Sequence, residues 1–222
     1  FPMSNSLLNV EQLIEKDIEH VDTQSVLSKT WRVTNKHESA YTGGKLLVTS
    51  DGNYFACWQG EHVNFVSIAT GQTVHSIECG EEDAISSFAI TPNNKVVFTA
   101  HVRSLQIKAW SLHDGSLIRQ WKAHDMPITD MCVDPTNTLL ATAAVDRSVR
   151  VWDAAGGFCT HNMTGHSSMV LRVAFHVFPK RLLLCACCEN GHIRVHNLKD
   201  NKHYDLISHM SAVTAVGYSY CG

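Results

Sequence analysis

The chain has 222 residues, of which 44% are hydrophobic and 18% charged, with a formal net charge of −3. This charge excludes a global basic field for nucleic acid, and no apolar run approaches the roughly 20 residues of a membrane-spanning helix. The termini show no signal-peptide pattern. The composition agrees with a soluble β protein, and we expect no membrane contact.

The first predicted element is a helix within residues 1–30. In residues 5–22 the apolar side chains recur at steps of three or four: Leu7, Val10, Ile14, Ile18 and Val21. This spacing places them on one face of a helix. Such a helix could dock into a partner groove, but we favour packing onto the body of the protein or an isoform-specific extension. We therefore treat residues 1–30 as an N-terminal extension of unassigned role.

Beyond this extension the chain repeats with a period of about 42–44 residues. Two markers share that period: Trp110, Trp152 and His196 late in one strand of each unit, and His124, His166 and His209 ahead of the unit's first strand. The turn segments SDGN, TPNN, DPTN and HVFPK follow it as well. A period of 40–45 residues with G-H and W-D marks is typical of β-propeller blades.

Each repeat accommodates four short strands. In residues 124–163 these are ITDMCV, TLLATAA, SVRVW and FCTHNM, separated by turn-forming residues. Four strands of five or six residues make one blade. We predict an all-β, partial WD-type propeller over residues 31–222. Its blades lie at about 43–78, 84–121, 124–163 and 166–207, and the first strand of a fifth blade begins at about 209.

Four blades and one strand do not easily close a ring of this repeat type. The open ends of such an array present unpaired strand edges and apolar blade faces. We therefore expect the chain to be a fragment or a short isoform of a longer protein, or to need a partner, and we expect the isolated chain to self-associate.

The eight cysteines are predicted to be free thiols of a reducing compartment. Cys185, Cys187 and Cys188, with His192 and His196, are the one metal-like constellation. Alternation along a strand puts Cys185 and Cys187 on one face and Cys188 on the other, and no second CxxC pair exists. We therefore predict no metal and no cofactor.

The third repeat carries the full motif of a known family: Ala123-His124, Thr142, Asp146 and Trp152-Asp153. With these residues the chain resembles the WD-repeat family. The resemblance implies that His124, Thr142, Asp146 and Trp152 form a buried hydrogen-bond relay with a structural role.

The other repeats depart from this motif. Repeat four has Asn190, Ala186 and His196 at the Asp, Thr and Trp positions. Repeat two keeps Trp110 but is expected to have Glu82, Ala100 and Ser104 in place of the other members, and repeat one is expected to have Ile68 in place of Trp. From sequence, the complete relay is therefore expected in repeat three alone.

No catalytic motif accompanies these repeats. The sequence has no G-x-S-x-G, HExxH or Walker-type loop. His124 with Asp146 imitates a catalytic dyad, but the repeat period explains both residues. We predict that the protein is not an enzyme.

A narrower resemblance covers about residues 31–222. Segments 42–52, 84–100, 106–124, 134–153 and 174–184 resemble the tandem-propeller WD-repeat subunits of the small-subunit processome. This implies a nucleolar scaffold for 18S rRNA maturation whose partners are other WD-repeat and processome proteins. Contact with pre-ribosomal RNA or U3 snoRNA would be mainly indirect. The alternative is a generic WD-repeat adaptor, such as a ubiquitin-ligase substrate receptor or a signalling scaffold.

Overall fold

The computed structural model describes residues 44–59, 62–79, 83–178, 180–207 and 209–219. These residues contain sixteen strands and no helix. The predicted helix within residues 1–30 lies outside the described residues and stays a prediction. No helix of the described residues is both long and apolar enough to cross a membrane.

The strands form four separate antiparallel sheets, each with its strands in chain order, which we call blades one to four. Blade one contains β1 (Leu46–Val48), β2 (Tyr54–Gln59), β3 (His62–Ser67) and β4 (Thr73–Glu78). Blade two contains β5 (Ile85–Ile90), β6 (Val96–His101), β7 (Gln106–Ser111) and β8 (Leu117–Lys122).

Blade three contains β9 (Ile128–Val133), β10 (Leu139–Ala144), β11 (Val149–Asp153) and β12 (Cys159–Met163). Blade four contains β13 (Val170–Phe175), β14 (Leu183–Cys188), β15 (Ile193–Asn197) and β16 (Lys202–Leu206). The all-β blade architecture predicted from the repeat is thereby confirmed.

The blades pack face to face in chain order. Three apolar layers join them, and each layer draws residues from two neighbouring blades. Phe88 of blade two packs with Ile77 of blade one, and Leu140 of blade three packs with Phe98 of blade two. Leu184 of blade four packs with Val151 of blade three. The first strands lie side by side, since β5 contacts β9 and β9 contacts β13.

The turns between first and second strands add a polar contact between blades. Asn94 and Asn137 adopt positive φ values of 55° and 64°, which asparagine tolerates better than most residues. The Asn94 side-chain oxygen accepts from the Ser50 amide at 3.2 Å, and that of Asn137 accepts from the Asn93 amide at 2.8 Å. Each asparagine therefore holds the turn of the preceding blade.

The predicted first strand of a fifth blade is not formed. Residues 209–219 contain no strand. A strand is defined by its ladder with a neighbour, and no described residue supplies a second strand for this stretch. The Arg172 guanidinium donates to the Thr214 carbonyl at 2.9 Å and the Val213 amide donates to the Cys188 carbonyl at 3.5 Å, so this stretch contacts blade four without forming a strand ladder.

Candidate functional site

The structure brings the four predicted relay residues together between the strands of blade three. The Trp152 indole Nε1 donates to Thr142 Oγ1 at 2.9 Å, and Thr142 Oγ1 lies 2.8 Å from His124 Nε2. His124 Nδ1 lies 3.0 Å from Asp146 Oδ2. The Asp146 carboxylate can only accept, so Nδ1 of the neutral ring carries the imidazole proton and donates to it. Nε2 then accepts from the Thr142 hydroxyl, which itself accepts from the indole N–H. Every polar side-chain atom of these four residues then has a hydrogen-bond partner.

The electrostatics of this relay favour a neutral imidazole beside a carboxylate. Burial lowers the pKa of His124 and outweighs the opposing effect of Asp146. Burial also works to raise the pKa of Asp146, but hydrogen bonds from Ser148 and His124 hold it below its usual value. Because His124 is 1% exposed and both its ring nitrogens are engaged, it has no free nitrogen to exchange protons with a substrate.

Blade two contains a second relay, which the sequence reasoning missed. Trp110 Nε1 donates to Thr99 Oγ1 at 2.8 Å, and Thr99 Oγ1 lies 3.0 Å from His101 Nε2. His101 Nδ1 lies 3.2 Å from the Asp83 carbonyl oxygen. The Asp83 carboxylate accepts from the amides of Arg103 and Ser104 at 2.7 and 3.0 Å. The relay expected only in blade three therefore has a counterpart.

The histidine and the aspartate come from different positions of the blade in the two relays. In blade three the histidine precedes the first strand and the aspartate follows the second. In blade two His101 lies on the second strand and Asp83 precedes the first. Strand register makes Thr99 the counterpart of Thr142, since each pairs with the residue two before its Trp. The expected Ala100 was one residue out of register.

A further correction concerns blade one. Ile68 is predicted at the Trp position of blade one. Its backbone amide donates to the Asn53 carbonyl, and in blade two the equivalent hydrogen bond runs from the Leu112 amide to the Lys95 carbonyl. Ile68 is therefore the counterpart of Leu112. Leu112 lies two residues after Trp110, so the residue in the Trp position of blade one is Val66. Val66 is buried, whereas Ile68 is half exposed.

Asp130, on the first strand of blade three, contacts all three other blades and was not singled out from sequence. Its carboxylate accepts from Lys45 Nζ of blade one at 2.7 Å and from the Val173 amide of blade four at 3.1 Å. Ser87 Oγ of blade two lies 3.5 Å away. Lys45 also donates to the Met131 carbonyl at 2.5 Å. The buried carboxylate therefore links the first strands of neighbouring blades.

Comparison with known proteins decides the family. The WD domain, G-beta repeat, matches residues 115–153 and 157–197. Transducin beta-like protein 3 of Bos taurus is 38% identical over 194 residues, which is 86% of this chain and 24% of the relative. The Homo sapiens protein of that name is also 38% identical over the same shares. The chain belongs to the WD-repeat family.

A more distant relative of this WD-repeat protein is the periodic tryptophan protein 2 homolog of Schizosaccharomyces pombe. The two are 27% identical over 122 residues, or 55% of this chain and 14% of that protein. The chain spans about a quarter of the length of the transducin beta-like proteins it matches.

The metal-like constellation of this WD-repeat protein is split between two faces of blade four. The Cys185 and Cys187 sulfurs lie 3.9 Å apart, while Cys188 joins the opposite apolar layer, 3.7 Å from His166 Nδ1. His192 bonds to Ser167 Oγ at the surface. No described group of three or more His, Cys, Asp or Glu side chains is arranged to hold a metal ion.

Proposed function

We propose that the protein is a non-catalytic scaffold for protein–protein interaction in the small-subunit processome, where it supports 18S rRNA maturation. The observation that carries the non-catalytic part is the relay of blade three. The His124–Asp146 pair, which imitates a dyad, is buried, and Thr142 and Trp152 complete its hydrogen bonding. A group engaged in this way stabilises the fold and has no free site for substrate.

The processome assignment rests on the sequence resemblance of residues 31–222 to its tandem-propeller subunits. The 38% identity to transducin beta-like protein 3 over most of the chain supports the same assignment. The proposed partners are other WD-repeat and processome proteins, and the proposed location is the nucleolus. Because the net charge is −3, we propose that contact with pre-ribosomal RNA and U3 snoRNA is mainly through those proteins.

Affinity purification under two conditions tests this assignment. The tagged chain is recovered from nuclear extract with and without RNase, beside an unrelated WD-repeat propeller of similar length. We expect ribosome-assembly proteins and U3 snoRNA to be enriched, and the proteins to remain after RNase treatment. Enrichment of a cullin ligase or a signalling complex would instead favour the adaptor alternative, and loss of all partners with RNase would favour direct RNA binding.

A fluorescent fusion tests the location separately. We expect its signal to coincide with a nucleolar marker and to disperse when ribosomal RNA transcription is inhibited. A signal confined to the cytoplasm, with the fusion intact on a gel, would contradict the proposal.

A further inference from the structure

Blade four has two imidazoles where blade three has its relay. His166 occupies the position of His124, four residues before the first strand, and His196 occupies that of Trp152. Ala186 replaces Thr142, so the hydroxyl that would link the two rings is absent. The rings lie edge to face with their centroids 5.3 Å apart, and their residues are 5% and 6% exposed.

Neither imidazole of this pair has a full set of hydrogen bonds. The Nε2 atoms of His166 and His196 are both buried without a partner among the described residues. His166 Nδ1 has only the Cys188 sulfur at 3.7 Å. Asn190 stands where blade three has Asp146, and its amide donates to Ser167 Oγ at 2.7 Å instead. The pair therefore lacks the carboxylate that would stabilise a charged ring.

The charged groups around the pair offer no replacement for that carboxylate. Arg194 of β15 and His203 of β16 both oppose a positive ring. Asp205 of β16 favours a positive ring, but it bonds to neither imidazole and is already bound to Arg194 through two hydrogen bonds of 2.6 and 3.0 Å. His161 of β12 lines the same outer groove as His196 and His203 and contributes no negative charge.

We propose that the buried His166–His196 pair makes blade four sensitive to acid. In mildly acidic solution blade four opens locally, while blades two and three stay closed. Opening would hydrate the two rings and expose β14, which His166 contacts through Cys188, and β15, which contains His196. The relay histidines respond less, because His124 and His101 each have an oxygen acceptor at Nδ1.

The direction of the pH effect follows from the pKa values. Burial, with smaller effects from neighbouring cations, lowers the pKa of His166 to about 4 and that of His196 to about 3. In an opened blade both return toward 6.5, the ordinary value. Opening therefore takes up protons. The stability of the closed blade is fully present above about pH 6.5 and falls as the pH drops from there toward the folded pKa values.

Hydrogen–deuterium exchange at pH 7.5 and pH 5.5, corrected for the intrinsic exchange rate, tests this in the 222-residue chain. Each imidazole should raise the opening constant about tenfold between these pH values, so protection in β14 and β15 should fall by up to about 100-fold. Protection in β10 and β11 of blade three should change much less.

Two variants separate this effect from general acid sensitivity. The A186T/N190D/H196W variant supplies blade four with the blade-three relay and should lose most of the pH dependence. H196F removes one titrating ring and should lose about half of the logarithmic effect. H113Q, which removes an exposed histidine of a blade-two turn, is the matched control and should behave as the parent chain. Circular dichroism at pH 7.5 confirms that each variant is folded.

Three outcomes would overturn the proposal. They are equal loss of protection in blades three and four, no loss in blade four, or an unchanged pH dependence in a folded H196F variant. If the relay graft does not fold, the H196F comparison decides alone.

Discussion

At the scale of single residues, the relays depend on one hydroxyl in each blade. Thr142 accepts from Trp152 and donates to His124, and Thr99 does the same between Trp110 and His101. Each hydroxyl gives a hydrogen-bond partner to two buried groups, the indole N–H and the imidazole Nε2, which would otherwise lack one. A relay is therefore sensitive to the loss of any member.

We expect Asp146→Ala to destabilise the protein by about 1–3 kcal/mol, because it leaves the buried His124 Nδ1–H without its carboxylate acceptor. The free energy of unfolding from urea titration measures this loss. Asp125→Ala is the matched control, since Asp125 is exposed and its ion pair with Lys122 contributes at most about 1 kcal/mol. Equal effects of the two substitutions would count against the relay.

Asp130 carries a separate prediction. Asp130→Ala leaves the Val173 amide and Lys45 without their carboxylate, and we expect a loss of about 2–3 kcal/mol. Asp130→Asn keeps one acceptor and should cost less. Urea titration of both variants, with exposed Asp200→Ala as control, checks this order. If Asp130→Ala leaves the free energy of unfolding unchanged, the contact between blades contributes nothing to stability.

The sequence could predict the relay of blade three but neither of these other features. His124 and Trp152 recur with the repeat period, and the resemblance of repeat three to the WD-repeat family implies that Thr142 and Asp146 join them in a relay. The relay of blade two does not follow that pattern, because His101 lies on the second strand and Asp83 lies before the first. Asp130 evades it because its partners Lys45 and Val173 are 85 and 43 residues distant, and no local pattern encodes such contacts.

At the scale of elements, the turns decide which blade positions tolerate a side chain. Gly165 and Gly191 both belong to blade four and have φ values of +83° and +86°. A Cβ at Gly165 would meet nothing within 4 Å, whereas one at Gly191 would lie 2.4 Å from the His209 carbonyl oxygen. The turn at Gly191 therefore supports the chain that follows β16.

We expect Gly165→Ala to cost about 1–2 kcal/mol, the penalty for a left-handed backbone alone. Gly191→Ala should cost about 1–3 kcal/mol more, because the backbone of residues 209–211 must move. The two glycines have similar φ values, so the difference between the melting temperatures of the two variants measures the contact of residue 191 with His209. If the two melting temperatures fall equally, residues 209–211 do not pack on this turn in solution.

Strand order and blade number followed from the period, but register did not follow in blade one. Trp110 and Trp152 mark the register of β7 and β11, so those strands could be placed from sequence. Blade one has no such mark, so the sequence places the Trp position at Ile68, two residues after Val66. The strand predicted within residues 209–219 is absent for another reason. The apolar pattern predicts an extended segment, but a strand also needs a neighbouring strand to pair with, and the pattern does not show whether one is present.

At the scale of the whole molecule, the blades form a row in which each apolar layer belongs to two neighbours. Blade four combines an unlinked imidazole pair with the outermost strand β16, all of whose residues are exposed. Blades two and three have complete relays and a neighbour on either side. We expect stability to be greatest in these two blades and to decrease toward blade four.

The processome role proposed for this WD-repeat protein can be tested in cells. The most direct test is to deplete the protein from cells and measure precursors of 18S rRNA and of the large-subunit rRNA on one blot. We predict that 18S precursors accumulate, that large-subunit precursors do not, and that the wild-type protein restores processing. Normal 18S maturation after complete depletion would show that the protein is not a processome scaffold.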